Sequence, residues 1–360
     1  MNDPVVPAKP YAWDEFCMAA DLSYVNQIED KGGVYRDSGK VKDVYKIFRD
    51  HGANAVRVRL WHTPTWQLPV TGGKLYSDLY DVEKTIRRAK AQGMAVNLDL
   101  HYSDDWADPQ KQDPPASWED LTYDQVKDSV YQYTLNVLKY LASKNLTPEM
   151  IQIGNETNPG MLFPFGQIKN GNFKPFTDLL KSGIKAVRDF STTSTIKPKV
   201  IIHVAQLQDA GWWTKGVIQQ EGLTDFDIIG LSHYCKWSQV NTMTAITDTI
   251  RKLVNLYNKD VMVVETAYPF TSTNFDTYNN LFGSTDSVAG YPMTQLGQLK
   301  YMKDLVKAIK DGGGKGIQYW EPAWITSPLR DRWGVGSSWE NNALFDYYGN
   351  VLPGIDYMRK

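Results

Sequence analysis

Cysteine is scarce in this chain: two residues in 360. That excludes a disulfide framework and any zinc site built on several thiolates. Charge of one sign is also lacking. Lys+Arg 39 against Asp+Glu 41 leaves no basic surplus to neutralise phosphates, so no nucleic-acid partner is expected. No apolar run approaches ~18 residues, so no membrane-spanning segment is expected. The opening MNDPVVPAKP has no apolar h-region and three prolines, which predicts a disordered leader over 1–10 and a catalytic domain over 11–360.

Several catalytic signatures are missing too. No G-x-S-x-G elbow anchors an acyl-transfer triad. No G-x-G-x-x-G turn follows a strand, which disfavours a doubly wound nucleotide-binding sheet. Neither H-x-H nor H-E-x-x-H occurs among the five histidines. His101, His203 and His233 each stand at a different strand end, so a binding-cleft or supporting role is expected rather than metal ligation, and no metal is predicted.

What is present is an alternation of short β-like runs with helical ones. Strands are expected at Phe16–Ala20, Ala55–Leu60, Ala95–Asp99, Met150–Ile153, Val200–Val204, Ile228–Leu231, Val261–Val264 and Gly316–Tyr319. Continuous runs such as VIIHV and VMVV suit strands buried on both faces. Between them, apolar residues recur at helical spacing: Val82, Ile86 and Ala89; Val126, Val130, Val137, Leu138 and Leu141; Phe176, Leu179, Leu180, Ile184 and Val187. Two further sets are Ile246, Ile250, Leu253, Val254 and Tyr257, and Leu296, Leu299, Met302, Val306 and Ile309. Gly52 and Gly93 close two helices where a left-handed residue is wanted. Eight such units predict an α/β (β/α)8 TIM barrel. Its core needs ~250 residues, so the remainder must enlarge the loops.

Barrel active sites sit on the loops that follow the strands. Glu156 and Glu265 each stand just after an apolar strand as its only terminal acid. If strands 4 and 7 face across the mouth, the two carboxyls converge. A pair ~5–5.5 Å apart suits a retaining glycosidase. Glu156 is then the proton donor (acid/base), with a raised pKa, and Glu265 the nucleophile, kept ionised by nearby donors. Asn155 can donate to a sugar hydroxyl beside the anomeric carbon. Arg57 and Arg59 share one strand face, which points both into the barrel. A guanidinium beneath Glu265 would hold it charged, and Arg59 is as readily a structural ion pair. Tyr234 can donate its hydroxyl to the nucleophile. Cys17 and Cys235 fall on strands 1 and 6, which are not neighbours, so free thiols are expected.

Twelve tryptophans are the unusual enrichment. Only Trp13 precedes the first strand. Trp61, Trp66, Trp106, Trp118, Trp212, Trp213, Trp237, Trp320, Trp324, Trp333 and Trp339 all follow strands. None is expected on a helix, and about half are expected to pack the loops. The rest offer flat faces to the C–H faces of sugar rings, with Trp320 at the centre.

The blocks AADLSYV, GANAVRVRLW, LDLHYSDDWADPQKQ, IQIGNETNPGMLFPFG, FDIIGLSHY, VVETAYPF, GIQYWEPAW and NNALFD resemble glycoside hydrolase family 53, the endo-β-1,4-galactanases of the clan A barrels. The resemblance runs from about Cys17 to Gly354. It implies cleavage of β-1,4-galactan side chains of type I arabinogalactan, with retention. Glu156 then matches the proton donor and Glu265 the nucleophile. Arg57, His101, Asp104, Trp106, Asn155, His203, Tyr234, Trp320 and Trp324 match substrate-binding positions. The partners implied are β-1,4-galactan and galacto-oligosaccharides, bound by a monomer. A polymer that cannot enter a cell implies a secreted or cell-surface enzyme. No cofactor is required. Some bacterial members hold calcium in the loop after strand 7. Here that loop, TSTNFDTYNN, carries one acid, Asp276, so no calcium is expected there. The chain departs from the family pattern at Ala19-Ala20, where a glycine is usual, and at Tyr234-Cys235-Lys236-Trp237, where an aromatic-Pro step is usual. The alternatives are a related glycanase acting on mannan, xylan or glucan, and a non-catalytic carbohydrate-binding barrel.

Overall fold

The computed structural model describes residues 11–359, so the expected leader at 1–10 lies outside the described residues. Eight parallel strands close a barrel: β1 (Cys17–Asp21), β2 (Ala55–Leu60), β3 (Ala95–Leu100), β4 (Met150–Ile153), β5 (Lys199–Ala205), β6 (Ile228–His233), β7 (Asp260–Thr266) and β8 (Gly316–Tyr319). β1 pairs with both β2 and β8, which closes the ring. All eight expected strands are present, several longer at their C-terminal ends than the apolar runs suggested. Polar residues such as His233 and Thr266 continue the ladder into the barrel mouth.

Seven helices of eight residues or more, or of seven for the first, wrap the barrel. They are α1 (Val44–Asp50), α2 (Leu79–Ala91), α3 (Tyr123–Ser143), α4 (Lys174–Ser191), α5 (Leu207–Thr214), α6 (Met243–Tyr257) and α7 (Gln295–Asp311). Side-chain oxygens cap several: Asp78 on α2, Thr122 with Gln125 in a reciprocal box on α3, and Thr294 on α7. After β8 only a 3₁₀ segment, Pro353–Met358, occupies the eighth position. It closes against Gly52, where an added Cβ would lie 2.3 Å from the Met358 carbonyl and φ is +109°. The expected left-handed glycine is therefore also a packing requirement.

One helical stripe needs correction. Leu296 is 70% exposed, and α7 buries Gln298, Tyr301, Met302, Leu305, Val306 and Ile309 instead. Leu296 lies about 240° around the helix from Met302, off the buried face. The long connections fall after β2, β3, β4, β7 and β8, on the C-terminal side, as the length arithmetic required. Among the described residues, no helix is long and apolar enough to cross a membrane. Both cysteines are free and buried.

The interior is divided in two. Alternation along each strand sends Cys17, Ala19, Ala55, Ala95, Met150, Ile201, Ile228, Met262 and Val264 into one apolar cluster in the lower barrel. Continuing with the same parity, the next inward positions are Asp21, Arg57, Arg59, Asn97, Asp99, Gln152, His203, Ser232 and Gln318, every one buried. The site stands on that polar layer.

Candidate active site

Glu265 reaches this layer by an irregularity. Alternation from Met262 and Val264 would turn it outward. The β6–β7 ladder pairs Leu231 with Val263 and then Ser232 with Glu265, leaving Val264 as an extra residue. This bulge re-aims Glu265 into the barrel. There Oε1 accepts from Arg57 at 2.8 Å and Oε2 from the Tyr234 hydroxyl at 2.8 Å. The expected guanidinium and phenol are both in place.

Arg57 is the hub. Its guanidinium also bonds Asp21 at 2.8 Å, Asp99 at 2.7 Å and the Asn155 Oδ1 at 2.9 Å. Arg59 turns the other way, to Glu321 at 2.5 Å, between the rings of Tyr24 and Trp106. It is therefore the structural ion pair of the two arginines.

Glu156 follows β4 in the left-handed region, φ +46°, a conformation that costs a non-glycine residue energy. The turn is held from several directions. Gly154, φ +81°, precedes it where an added Cβ would meet Thr157 at 2.8 Å. The Gln112 amide donates to the Asn155 carbonyl at 2.8 Å. The Thr157 amide and hydroxyl both donate to the His203 carbonyl. Glu156 Oε1 accepts from Ser232 at 2.6 Å, and its backbone N–H donates to His203 Nδ1 at 3.1 Å.

Carboxylate oxygens of Glu156 and Glu265 come within 4.8 Å of each other, with a His203 nitrogen inside the same limit. Three such groups could in principle hold a cation. Here both His203 nitrogens are already engaged, with Gln152, the Glu156 amide and Asn155 Oδ1 on one side and Ser232 on the other. The Arg57 charge lies against Glu265. The donor set suits a pair of carboxyls better than a metal.

The two carboxyls differ electrostatically. Enclosure, and then the charge of Glu265, push the Glu156 carboxyl well above the ordinary range. Burial raises Glu265 as well, but Arg57 and the Tyr234 hydroxyl oppose it. Of the pair, Glu156 is the one raised further and without a cation against it, and so the better suited to hold a proton.

The remaining expected residues separate into two groups. Trp106 and Trp320 are partly accessible and meet at 5.7 Å between ring centroids. Asp104 binds the Thr63 and Ala116 amides, tying two loops together. His101 is buried, with Nδ1 accepting from Trp61 and Ala107 and Nε2 against Asp99. His203 is wholly buried beneath Glu156 and presents no surface to the cleft. Trp324 is a correction: it is buried against Tyr24, its indole N–H spent on the Gly336 carbonyl. Trp212 and Trp213 are a second, since both lie on α5. His233 points away from the mouth, to Tyr301 of α7. Five of the eleven strand-following tryptophans are buried packing residues: Trp61, Trp118, Trp213, Trp324 and Trp339.

Sequence reasoning missed Asp21, Asp99, Gln112, Gln152, Ser232 and Glu321. Asp21, Asp99 and Gln152 were open to detection, because they share inward parity with Arg57 and Arg59.

The model of glycosyl hydrolase family 53 matches residues 17–358. This chain belongs to that family. It is 42% identical over 349 residues to an arabinogalactan endo-β-1,4-galactanase of Cellvibrio japonicus strain Ueda107, covering 96% of this chain and 90% of that protein. The structure superposes on the family 53 catalytic domain of Ignisphaera aggregans with a TM-score of 0.87, at 35% identity and 99% coverage of both chains. A structure of a fungal β-1,4-galactanase gives 0.80, at 29% identity, covering 96% of this chain and 99% of that one. As a family 53 member the chain is a glycoside hydrolase with a (β/α)8 barrel.

Proposed function

We propose that this family 53 hydrolase is a retaining endo-β-1,4-galactanase acting on the galactan side chains of type I arabinogalactan. The observation that carries the mechanism is the close pair of unlike carboxyls: Glu265 clamped by Arg57 and Tyr234, Glu156 enclosed and protonated, their oxygens within 4.8 Å. That closeness fits the spacing of a retaining pair rather than the wider gap an inverting water needs. The galactan assignment is supported by the names of the relatives, one of them 42% identical over nearly the whole chain.

In the first step a Glu265 oxygen bonds to the anomeric carbon as the C1–O bond breaks. The Glu156 proton passes to the departing O4. In the second step Glu156 takes a proton from water, whose oxygen replaces Glu265 at C1. Arg57 and Tyr234 hold the nucleophile charged and aimed. The Trp106 and Trp320 faces form the wall for a neutral sugar chain, with Asn155 and Asp104 beside them and His101 packed behind Trp106. The two carboxyls perform all the proton and bond chemistry, so no cofactor enters either step. Asp276 accepts from the Tyr278 and Ser337 amides and so serves loop structure. The enzyme acts as a monomer outside the cell or on its surface, where the polymer is.

The test is Glu156→Ala assayed on galactan and on an aryl β-galactoside with a good leaving group. Galactan hydrolysis should fall by about 10²–10⁴-fold, while the first step on the aryl substrate changes little. Equal losses would remove the acid role. The first sugar anomer released, followed by NMR, should be β. Release of reducing ends from mannan or xylan but not galactan would overturn the substrate.

A further inference from the structure

We propose that Ser232, backed by His203, orients the Glu156 carboxyl so that its proton sits on Oε2, the oxygen free to face the leaving group. The proposal rests on Glu156 being the acid, as argued above, and concerns what makes it deliver its proton in one direction.

The argument is a chain of hydrogen bonds whose sense is determined at its far end. Gln152 Nε2 lies 2.6 Å from the Asp99 carboxylate. Flipping that amide would set its oxygen against a carboxylate, so Nε2 is the donor there. The same nitrogen lies 2.9 Å from His203 Nδ1, and the Glu156 backbone N–H donates to Nδ1 at 3.1 Å. Nδ1 also lies 3.1 Å from Asn155 Oδ1, but that oxygen already accepts from Arg57 and Gln152, and the Glu156 N–H pointing at Nδ1 leaves no place for a hydrogen there, so Nδ1 is the acceptor. The imidazole is therefore neutral with its proton on Nε2. Burial and the nearby Arg57 charge agree, holding the His203 pKa well below its ordinary value.

Nε2 lies 2.9 Å from Ser232 Oγ, so the serine oxygen accepts from the histidine. Its own hydrogen is then left to point at Glu156 Oε1, 2.6 Å away. His203 and Ser232 are both wholly buried, so water does not compete for these bonds. Oε1 is committed as an acceptor whether or not Glu156 is protonated. The carboxyl proton must reside on Oε2, for which no other described residue is a hydrogen-bond partner. A carboxyl free to rotate would spend part of its time with the proton turned inward. Ser232 is thus a positioning residue that acts through Glu156, and His203 keeps the serine hydrogen turned toward it.

The charged and titratable groups facing Glu156 are Glu265 of β7, Arg57 of β2, Asp108 of the β3 loop, Tyr234 after β6 and neutral His203 of β5. Ser232→Ala leaves all of them in place. It removes one donor that favours the carboxylate, so the alkaline limb of the kcat/KM profile should move up by about half a pH unit. On galactan, kcat/KM should fall about tenfold, and on an aryl β-galactoside with a good leaving group by less than about twofold. An unmoved limb together with equal losses on both substrates would overturn the proposal. Glu156→Ala is the control: if it too loses both substrates equally, the acid assignment itself has failed. If it discriminates and Ser232→Ala does not, only the positioning role falls. Should the alanine chain not fold, Ser232→Cys, a poorer donor of similar size, is read in the same way.

Discussion

The two halves of the barrel interior are built from the same strands with the same alternation, yet they are chemically opposite. The lower half packs Ala19, Ala55, Ala95, Met150, Ile201, Ile228 and Met262 into a dry apolar plug. The upper half, one inward position further along most strands, buries Asp21, Arg57, Arg59, Asp99, Gln152, His203 and Ser232. Burying so many polar groups is costly unless each is paired. The plug is the region that stabilises. The polar layer is a region of preorganisation, in which Arg57 pairs with three acids, fixes Glu265 in place and opposes the upward pull of burial on its pKa. Lower-layer changes should therefore register in stability alone, and upper-layer changes in activity first.

The sharpest break is Glu265→Ala. It deletes the proposed nucleophile, and the loop and barrel contacts around it are otherwise intact. Turnover on galactan should drop below about 1% while the melting temperature stays near wild type. Measurable residual turnover above that level would mean that another group attacks C1.

Arg57→Met comes next and strikes both quantities. Asp21, Asp99 and Glu265 lose their shared cation, and stranding a buried charge costs about 3–5 kcal/mol. Denaturant unfolding should show that loss, and kcat should fall by at least about a hundredfold because Glu265 is no longer held ionised. A variant that stayed stable but inactive would place the whole of Arg57's role in catalysis.

Ile201→Ala tests the plug. Ile201 lies two residues before His203 on β5, so it shares the strand and the inward face but not the chemistry. Removing its side chain should cost about 2–5 kcal/mol by leaving a cavity. Below the unfolding transition kcat should be unchanged. A drop in kcat at full folding would mean the two layers are mechanically coupled.

How much of this was readable in advance also divides along the same line. The eight strands were legible because both of their faces are buried, which forces unbroken apolar runs such as VIIHV and VMVV. Glu156, Glu265, Arg57 and Tyr234 were legible because a charge or phenol at the end of such a run needs a reason. The bulge at Val264 was not, since nothing in VVET marks an extra residue, and simple alternation points Glu265 outward. Ser232 was hidden for a different reason. A serine is unremarkable in a strand, and its role depends on His203 and Glu156 arriving from two other strands. Trp324 misled because an indole near the mouth reads the same whether its face is offered to a sugar or packed on Tyr24.

Glu321 provides the smallest effect and the finest contrast. It is a third strand-end carboxyl in the same layer, but it faces Arg59 rather than the cleft. Burial and the charge of Asp21 push it up to about 8 in spite of Arg59. Glu156 is raised too. An acid whose native pKa exceeds its unfolded value, about 4.3, binds more protons in the folded state between those two values. Stability must therefore fall as pH rises through that window. The buried His203 and His233 act in the opposite sense, since both are held below their ordinary pKa, His233 down to about 4. Their contribution is lost as pH falls below about 6.5. Between about pH 7.5 and 8.5, a unit or more above the unfolded histidine pKa, these histidines are neutral in both states and the raised carboxyls act. The melting temperature should decline across that interval. In Glu321→Gln, where the side chain is neutral throughout, the decline should be shallower, leaving the part due to the other raised carboxyls, Glu156 foremost. A decline of unchanged slope would mean that Glu321 is ionised beside Arg59 over the whole range, and that the polar layer tolerates a fourth buried carboxylate beside Asp21, Asp99 and Glu265.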